Sequence, residues 1–386
     1  MNLAIISEAY KTLLVDAKYR DGILNDLRGG LVILLTSVFF LILGITSPSY
    51  NWDIVAYVAA AYHQDGLSGR KLSSATYNEL KREADANTFK ELTAGDYVDV
   101  VFKDPHSLEQ QLPFYTIKVA YIQLMRFLKA LGMSYTHSTY IISAIFTATS
   151  VLMIALFLLH FGVPILWLPV AATVAGYGTI ASYSTPDAIA CFFALLLIYF
   201  FIKGSKASYV ISALLPLVRT DLAILSLLTM GFDFYRRRSI YPILGAAAAL
   251  AVYVIINRLA GNYGWLALFN FTFIKITPYP KEMQISDNIG AYLQAYAAGV
   301  RNFISSRHIM IYVLVLFIFV FRQGHKKPTS EIDAIMVICL LYASAHFALF
   351  PVYEDRFFAF PASLLFLSLI VLLFYGGSVS PARQIR

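Results

Sequence analysis

Long apolar runs separated by short polar breaks dominate the chain. The runs lie near 31–47, 138–160, 164–181, 188–203, 206–218, 222–235, 240–258, 309–321, 332–350 and 357–375. Several fall short of the roughly 20 residues that a full span of a bilayer needs. Short helices fit a tightly packed bundle, or a place where a funnel of water thins the protein. Two polar stretches are long, 48–137 and 259–308. The pattern predicts an all-α polytopic membrane protein of about ten transmembrane helices, one domain over 1–386, with two long loops on one side.

Within the first loop, 112–131 (LPFYTIKVAYIQLMRFLKAL) is periodic. On a helical wheel Phe114, Ile117, Tyr121, Leu124 and Leu128 share one face, while Lys118, Arg126 and Lys129 gather on another. This separation reads as an amphipathic helix lying in the membrane interface rather than crossing it. Arg70 to Leu92 reads as a polar helical insertion.

Composition agrees with the pattern: 59% of the residues are hydrophobic and only 14% charged. The net charge of +7 is that of a positive-inside membrane protein and gives no reason to invoke nucleic acid. Residues 1–30 mix acids and bases, which suits a cytoplasmic interfacial helix better than a cleavable signal. With the N-terminus inside, alternation of the runs puts Lys203, Lys206, Arg236 to Arg238, Arg322, Lys326, Lys327, Arg383 and Arg386 on the cytoplasmic side. Both long loops then lie outside. Cys191 and Cys339 fall inside apolar helices, which excludes a disulfide framework.

Seven charged residues sit at helix mouths on the external side: Asp53, Asp187, Arg219, Asp221, Glu354, Asp355 and Arg356. Asp53 reads as the N-cap of a helix starting near Ile54, or as an acid crowded by Trp52 and Tyr57 and able to act as a base. Asp187, after Thr185 and Pro186, has the composition of an ordinary helix start and is also a candidate site acid. Arg219 and Asp221 interrupt an apolar run, either as the turn of a helical hairpin or because an arginine there forks a phosphate. Glu354, Asp355 and Arg356 form a local ion pair or orient a phosphorylated ligand. Lys275 and Lys281, in the second loop, are candidate contacts for an anionic substrate. His63 and His346 lack partners at metal-ligand spacing, so no dedicated metal site and no cofactor are expected.

These pieces, taken in order, resemble the GT-C superfamily of membrane glycosyltransferases, in particular the branch of protein O-mannosyltransferases and aminoarabinose transferases. The matching features are an acid soon after the first helix (Asp53, in NWDIV), an external loop with LPFYTIKVAYIQLMRFLKALG, a helix opening TPDAIACFFALLLIYF, and a late YEDRFFAFPASLLFL. The resemblance covers most of the chain in order and sidedness rather than identity. It implies transfer of a sugar from a polyprenyl-phosphate donor to a glycan, lipid or protein acceptor on the non-cytoplasmic face. It further implies Asp53 as general base, with Asp187 and Arg356 in the site, and a bacterial plasma-membrane location with both termini cytoplasmic. Unlike many members, this chain has no second acid beside Asp53, which leaves open whether Asp53 or Asp187 lies nearer the acceptor. A polyprenyl-linked polysaccharide polymerase or ligase is chemically adjacent. A lipid or solute transporter is the rival from another class, against which stands the near absence of charge in the apolar runs. A non-catalytic assembly subunit is the third alternative.

Overall fold

The computed structural model describes residues 27–322 and 331–374; among them the protein is helical throughout, with no strand. The first apolar run forms α1 (Leu27–Thr46). The first loop folds into α2 (Asp53–Gln64), α3 (Gly69–Glu83), α4 (Ala86–Thr93), α5 (Asp96–Lys103), α6 (Pro105–Tyr115) and α7 (Val119–Ala130). Then come α8 (Tyr135–His160), a 3-10 turn (Ile165–Trp167), α9 (Leu168–Val174), α10 (Tyr177–Ser182), α11 (Asp187–Ile202), α12 (Ala207–Val218), α13 (Leu222–Arg237) and α14 (Tyr241–Leu259). The second loop carries α15 (Trp265–Phe269), a π turn (Asn270–Ile274), a 3-10 turn (Pro280–Glu282) and α16 (Ile289–Ile304). The chain continues through α17 (Ile309–Arg322), α18 (Glu331–Leu349), a 3-10 turn (Asp355–Phe358) and α19 (Ala359–Phe374). The basic residues at 1–26, 323–330 and 375–386, and most of the expected N-terminal interfacial helix, lie outside the described residues.

Among the described residues five helices are long and apolar enough to cross a membrane: α1, α8, α14, α18, and the last turn with α19; α16 and α17 add a sixth if their 86° elbow is one broken span. The remaining runs are shorter, as in the 16-residue α11 and the 12-residue α12. The run expected over 164–181 is not one helix, because Gly176 adopts φ +82°, a left-handed conformation that ends α9 and restarts the chain as α10. The helix expected over 112–131 is likewise split. Helix α6 stops at Thr116, whose N and Oγ1 both donate to the Leu112 carbonyl, at 2.9 and 3.0 Å, and Lys118 Nζ donates to the Phe114 carbonyl at 2.5 Å. The lysine thereby satisfies a carbonyl at the end of α6. Its apolar face also points the other way: Phe114, Ile117 and Tyr121 are buried in the protein, and Phe127 and Leu131 are the exposed ones. The expected helical insertion at Arg70 to Leu92 is present as α3 and α4.

Helix α8 is the central post, packed against α1, α7, α10 and α11. The two long loops interlock above it. Ser107 Oγ and Gln111 Nε2 of α6 both donate to the Pro278 carbonyl, Tyr279 donates to Asp104, and Phe271 packs on Phe114. A single parallel bridge joins Ser49 to Tyr183, with Ser49 N donating to the Ser182 carbonyl at 2.8 Å. It pins the approach to α2 beside the approach to α11, so the acids opening these two helices become neighbours.

Candidate active site

Asp53 occupies the first position of α2, but its side chain does not cap the helix; Trp52 is the capping residue and makes no side-chain bond. The carboxylate is held from other directions. Tyr115 OH donates to Oδ1 at 2.9 Å, Asn51 Nδ2 donates to Oδ2 at 2.9 Å, and Arg356 Nη1 lies 3.4 Å from Oδ2. The capping expectation fails because tertiary donors outcompete the local amides. Asp187 also begins its helix without capping it. Its Oδ1 receives Arg219 Nη1 at 2.5 Å, its Oδ2 receives the Thr185 hydroxyl at 2.7 Å, and Arg356 Nη1 stands 3.5 Å from that same oxygen.

Arg219 ends α12 in an extended conformation, and with Asp221 it forms the turn into α13. Its Nε and Nη2 grip the two oxygens of Asp221 at 3.0 and 2.9 Å, a fork-to-fork pair with one further nitrogen left for Asp187. Tyr342 of α18 donates to Asp221 at 3.2 Å, and His346 Nε2 lies 3.5 Å from the same carboxylate. Burial alone would raise the Asp221 carboxyl, but Arg219 beside it holds it below the usual range. The ring of Phe357 lies under both guanidinium groups, 4.7 Å from Arg219 and 4.8 Å from Arg356. The crevice between Asp187, Arg219, Tyr342, Arg356 and Phe360 is too tight for a water molecule.

Six of the seven helix-mouth charges therefore converge: Asp53, Asp187, Arg219, Asp221, Glu354 and Arg356. Glu354 joins through Arg356 Nε, 2.5 Å away. Asp355 does not join. It turns away from the cluster, where Arg307 Nε binds Oδ2 at 2.5 Å and His308 stands 3.7 Å from Oδ1. Asp355 opens the 3-10 turn with its carboxylate held by Arg307, while the next residue, Arg356, reaches Asp53 and Asp187, so the two do not serve one site. Tyr57 is buried one turn along α2, edge-on to Tyr115 and Tyr121 at 5.1 and 5.0 Å. Burial first, and then Asp53, push the Tyr57 and Tyr115 phenols well above their ordinary value, so both remain protonated donors.

Lys275 and Lys281 are not brought to the cluster. Both are exposed, and the segment around Lys281 is committed through its backbone, with Lys281 N donating to Gln110 Oε1 at 3.1 Å. His63 is exposed, with its ring nitrogen 3.2 Å from the Leu67 carbonyl. No group of three or more potential metal ligands gathers among the described residues.

The residue that periodicity misplaced is Lys118. In a continuous helix it belongs to the polar outer face; the break after α6 turns it inward among Asp53, Asp187, Arg219 and Asp221. Burial lowers its ammonium to about 8 although Asp53 opposes the shift. Its amine donates to one backbone carbonyl and pairs with no carboxylate within ion-pair distance among the described residues. An ammonium has three donors, so this cation keeps donor capacity for a ligand. The one available signal was a lysine inside the apolar run YTIKVAY.

Exposure separates the acids. The Asp187 side chain is 3% exposed and the Asp53 side chain 29%. Asp187 is enclosed between two arginines, whereas Asp53 keeps an edge that an incoming group can reach. No protein-family model, curated protein or solved structure matches the chain.

Proposed function

We propose that this cluster is the active centre of a GT-C-type membrane glycosyltransferase, with about ten membrane-embedded helices and the site on the non-cytoplasmic face. The observation that carries the reading is the shared grip of Arg356 on Asp53 and Asp187, at 3.4 and 3.5 Å. It places one reachable acid beside a cationic site whose other acid is locked. Transfer of a sugar from a polyprenyl-phosphate donor needs these two elements: a base for the acceptor hydroxyl or amine, and positive charge for the departing phosphate.

Asp53 takes the acceptor proton, with Tyr115 and Asn51 holding its carboxylate in place. Arg356, Arg219 and Lys118 receive the phosphate. Asp187 and Asp221 keep the arginines in register while the site is empty, and a phosphate entering at Arg356 substitutes for a carboxylate contact instead of exposing a bare charge. The attacking oxygen or nitrogen forms the new bond to the anomeric carbon as the carbon–phosphate oxygen bond breaks. Direct displacement of this kind inverts the anomeric configuration. The acceptor is a glycan, lipid or protein, and the polyprenyl tail lies along the lipid-facing helices. A bacterial plasma membrane with both termini cytoplasmic is the location consistent with the loop charges.

The test is a mass-spectrometric comparison of cell-envelope glycans from cells carrying the wild-type chain or Asp53→Asn at equal membrane level. Loss of one defined sugar from one glycan is the expected result. An unchanged glycan profile with both Asp53→Asn and Arg356→Ala would remove the glycosyltransferase reading.

A further inference from the structure

An open groove of about 660 Å³ lies outside the charge cluster, lined by Glu79, Arg82 and Glu83 of α3, Lys129 of α7, Gly132 and Met133 of the following turn, and Ser134, His137 and Ile141 at the start of α8. Its floor is built rather than incidental. Glu79 is fully buried and accepts from Tyr62 OH at 2.7 Å, Thr136 N at 2.8 Å and Thr136 Oγ1 at 3.0 Å. Lys129 stands 3.5 Å from Glu79 and over the rings of Tyr62 and Tyr135, with its side chain still 40% exposed. Glu83 pairs with His137 at 2.9 Å. Arg82 is exposed and forms no ion pair among the described residues.

The groove thus presents two separate charges to a ligand, a cationic side from Arg82 and Lys129 and an anionic side from Glu83. Glu79 is already saturated by its donors. The groove also continues into an apolar stripe. His137, Ile141 and Ile145 follow one another at four-residue spacing on α8, with Leu152 two turns further on the same face, and Ile145 and Leu152 are each 44% exposed. Phe127 and Leu131, exposed by 60% and 64%, form an apolar rim at the end of α7 beside the groove. A large exposed apolar surface next to a mixed-charge pocket marks an interaction site, and on a helix of span length its partner is lipid.

We propose that this groove seats the headgroup of a phospholipid bearing a primary amine. The phosphate rests on Arg82 and Lys129, the ammonium on Glu83, and an acyl chain runs down the His137–Leu152 stripe. Neither charge alone explains the lining; a zwitterion answers both sides. This inference rests on α8 spanning a membrane, and not on the chemistry assigned to Asp53, so an inactive Asp53→Asn protein still holds the lipid.

Native mass spectrometry of the full chain in detergent tests it, with phosphatidylethanolamine, phosphatidylcholine or phosphatidylglycerol added in turn. One phosphatidylethanolamine per chain is expected, held at least about tenfold more tightly than phosphatidylglycerol, with Arg82→Glu lowering the affinity about tenfold. Glu83→Gln abolishes the preference over phosphatidylcholine while leaving lipid bound. Arg82 is exposed and unpaired, so its variant folds, which circular dichroism verifies. Equal retention of all three lipids, or retention indifferent to both substitutions, overturns the proposal. Saturation by soluble phosphoethanolamine at the affinity of the lipid assigns the groove to a soluble ligand and overturns it equally.

Discussion

The charge cluster and the groove on α3 and α8 use the same residue types in opposite ways. In the cluster every guanidinium is already engaged, the two arginines share the Phe357 ring, and the space between them excludes water. In the groove Glu79 is committed at the floor and Glu83 pairs with His137, but Lys129 keeps part of its side chain in solvent and Arg82 stays exposed. Ligand binding in the first must exchange one set of ionic contacts for another; in the second it adds contacts to charges that water currently solvates. The first arrangement suits a reaction that must place charge accurately, since groups fixed beforehand need no reorganisation when charge develops. The second suits retention of a lipid.

Substitutions that unlock one region should leave the other intact, and the largest effect is expected at Arg219. Its removal strands Asp187, 3% exposed, and Asp221 without their partner. Breaking a buried pair in this way costs about 3–5 kcal/mol. Arg219→Ala should therefore lower the thermal midpoint in detergent sharply, whereas Arg82→Glu in the groove should stay within about 0.5 kcal/mol of wild type. Comparable losses for the two would erase the contrast.

Next in size is the effect on turnover at Asp53. Its side chain is 29% exposed, so Asp53→Asn should keep the fold while cutting transfer about 10²–10⁴-fold, the range for a lost general base. Gly299→Ala comes third. A Cβ there would collide with the Pro351 carbonyl, backbone that cannot swing aside, at the root of the segment leading to Glu354 and Arg356. We expect destabilisation of about 1–3 kcal/mol, seen as a lower midpoint, with activity reduced further than stability alone explains.

The smallest expected effect is a pH dependence from Lys118. Its ammonium, lowered to about 8, is charged below that pH and neutral above it. Binding of an anionic donor should weaken as pH rises from 7 to 9, by roughly tenfold, and Lys118→Met should flatten the profile. Stability has the opposite sign. Between about 8 and the ordinary lysine value of 10.5 the unfolded chain binds more protons, so the folded protein gains stability as pH rises. A binding profile that strengthens above pH 8 would remove Lys118 from the anion site.

Much of the cluster was legible before any coordinates. Charges interrupting apolar runs are expensive to bury, so Asp187, Arg219 and Asp221 announce themselves against leucine and alanine, and positive-inside counting places their helix mouths together. The apolar runs of span length emerged as α1, α8, α14, α18 and α19 for the same reason. Lys118 was misassigned because a wheel assumes an unbroken helix, and one interruption at 116–118 rotates everything after it. Asp355 parts from its neighbours because proximity in sequence says nothing about which partners successive side chains of a 3-10 turn meet, here Arg307 for Asp355 and Asp53 for Arg356. Glu79 was invisible: α3 is polar along its length, and the donors that make this one glutamate structural come from Tyr62 and Thr136, far away in the chain. Local periodicity carries no information about such pairings.

Under the proposed function the cluster divides its work, cations for the lipid phosphate and Asp53 for the acceptor. Binding of polyprenyl phosphate to the purified chain tests it directly, measured by native mass spectrometry on wild type, Asp53→Asn and Arg356→Ala. We predict that Asp53→Asn binds it as well as wild type and that Arg356→Ala binds it at least about tenfold more weakly. Wild-type binding by Arg356→Ala would contradict the account.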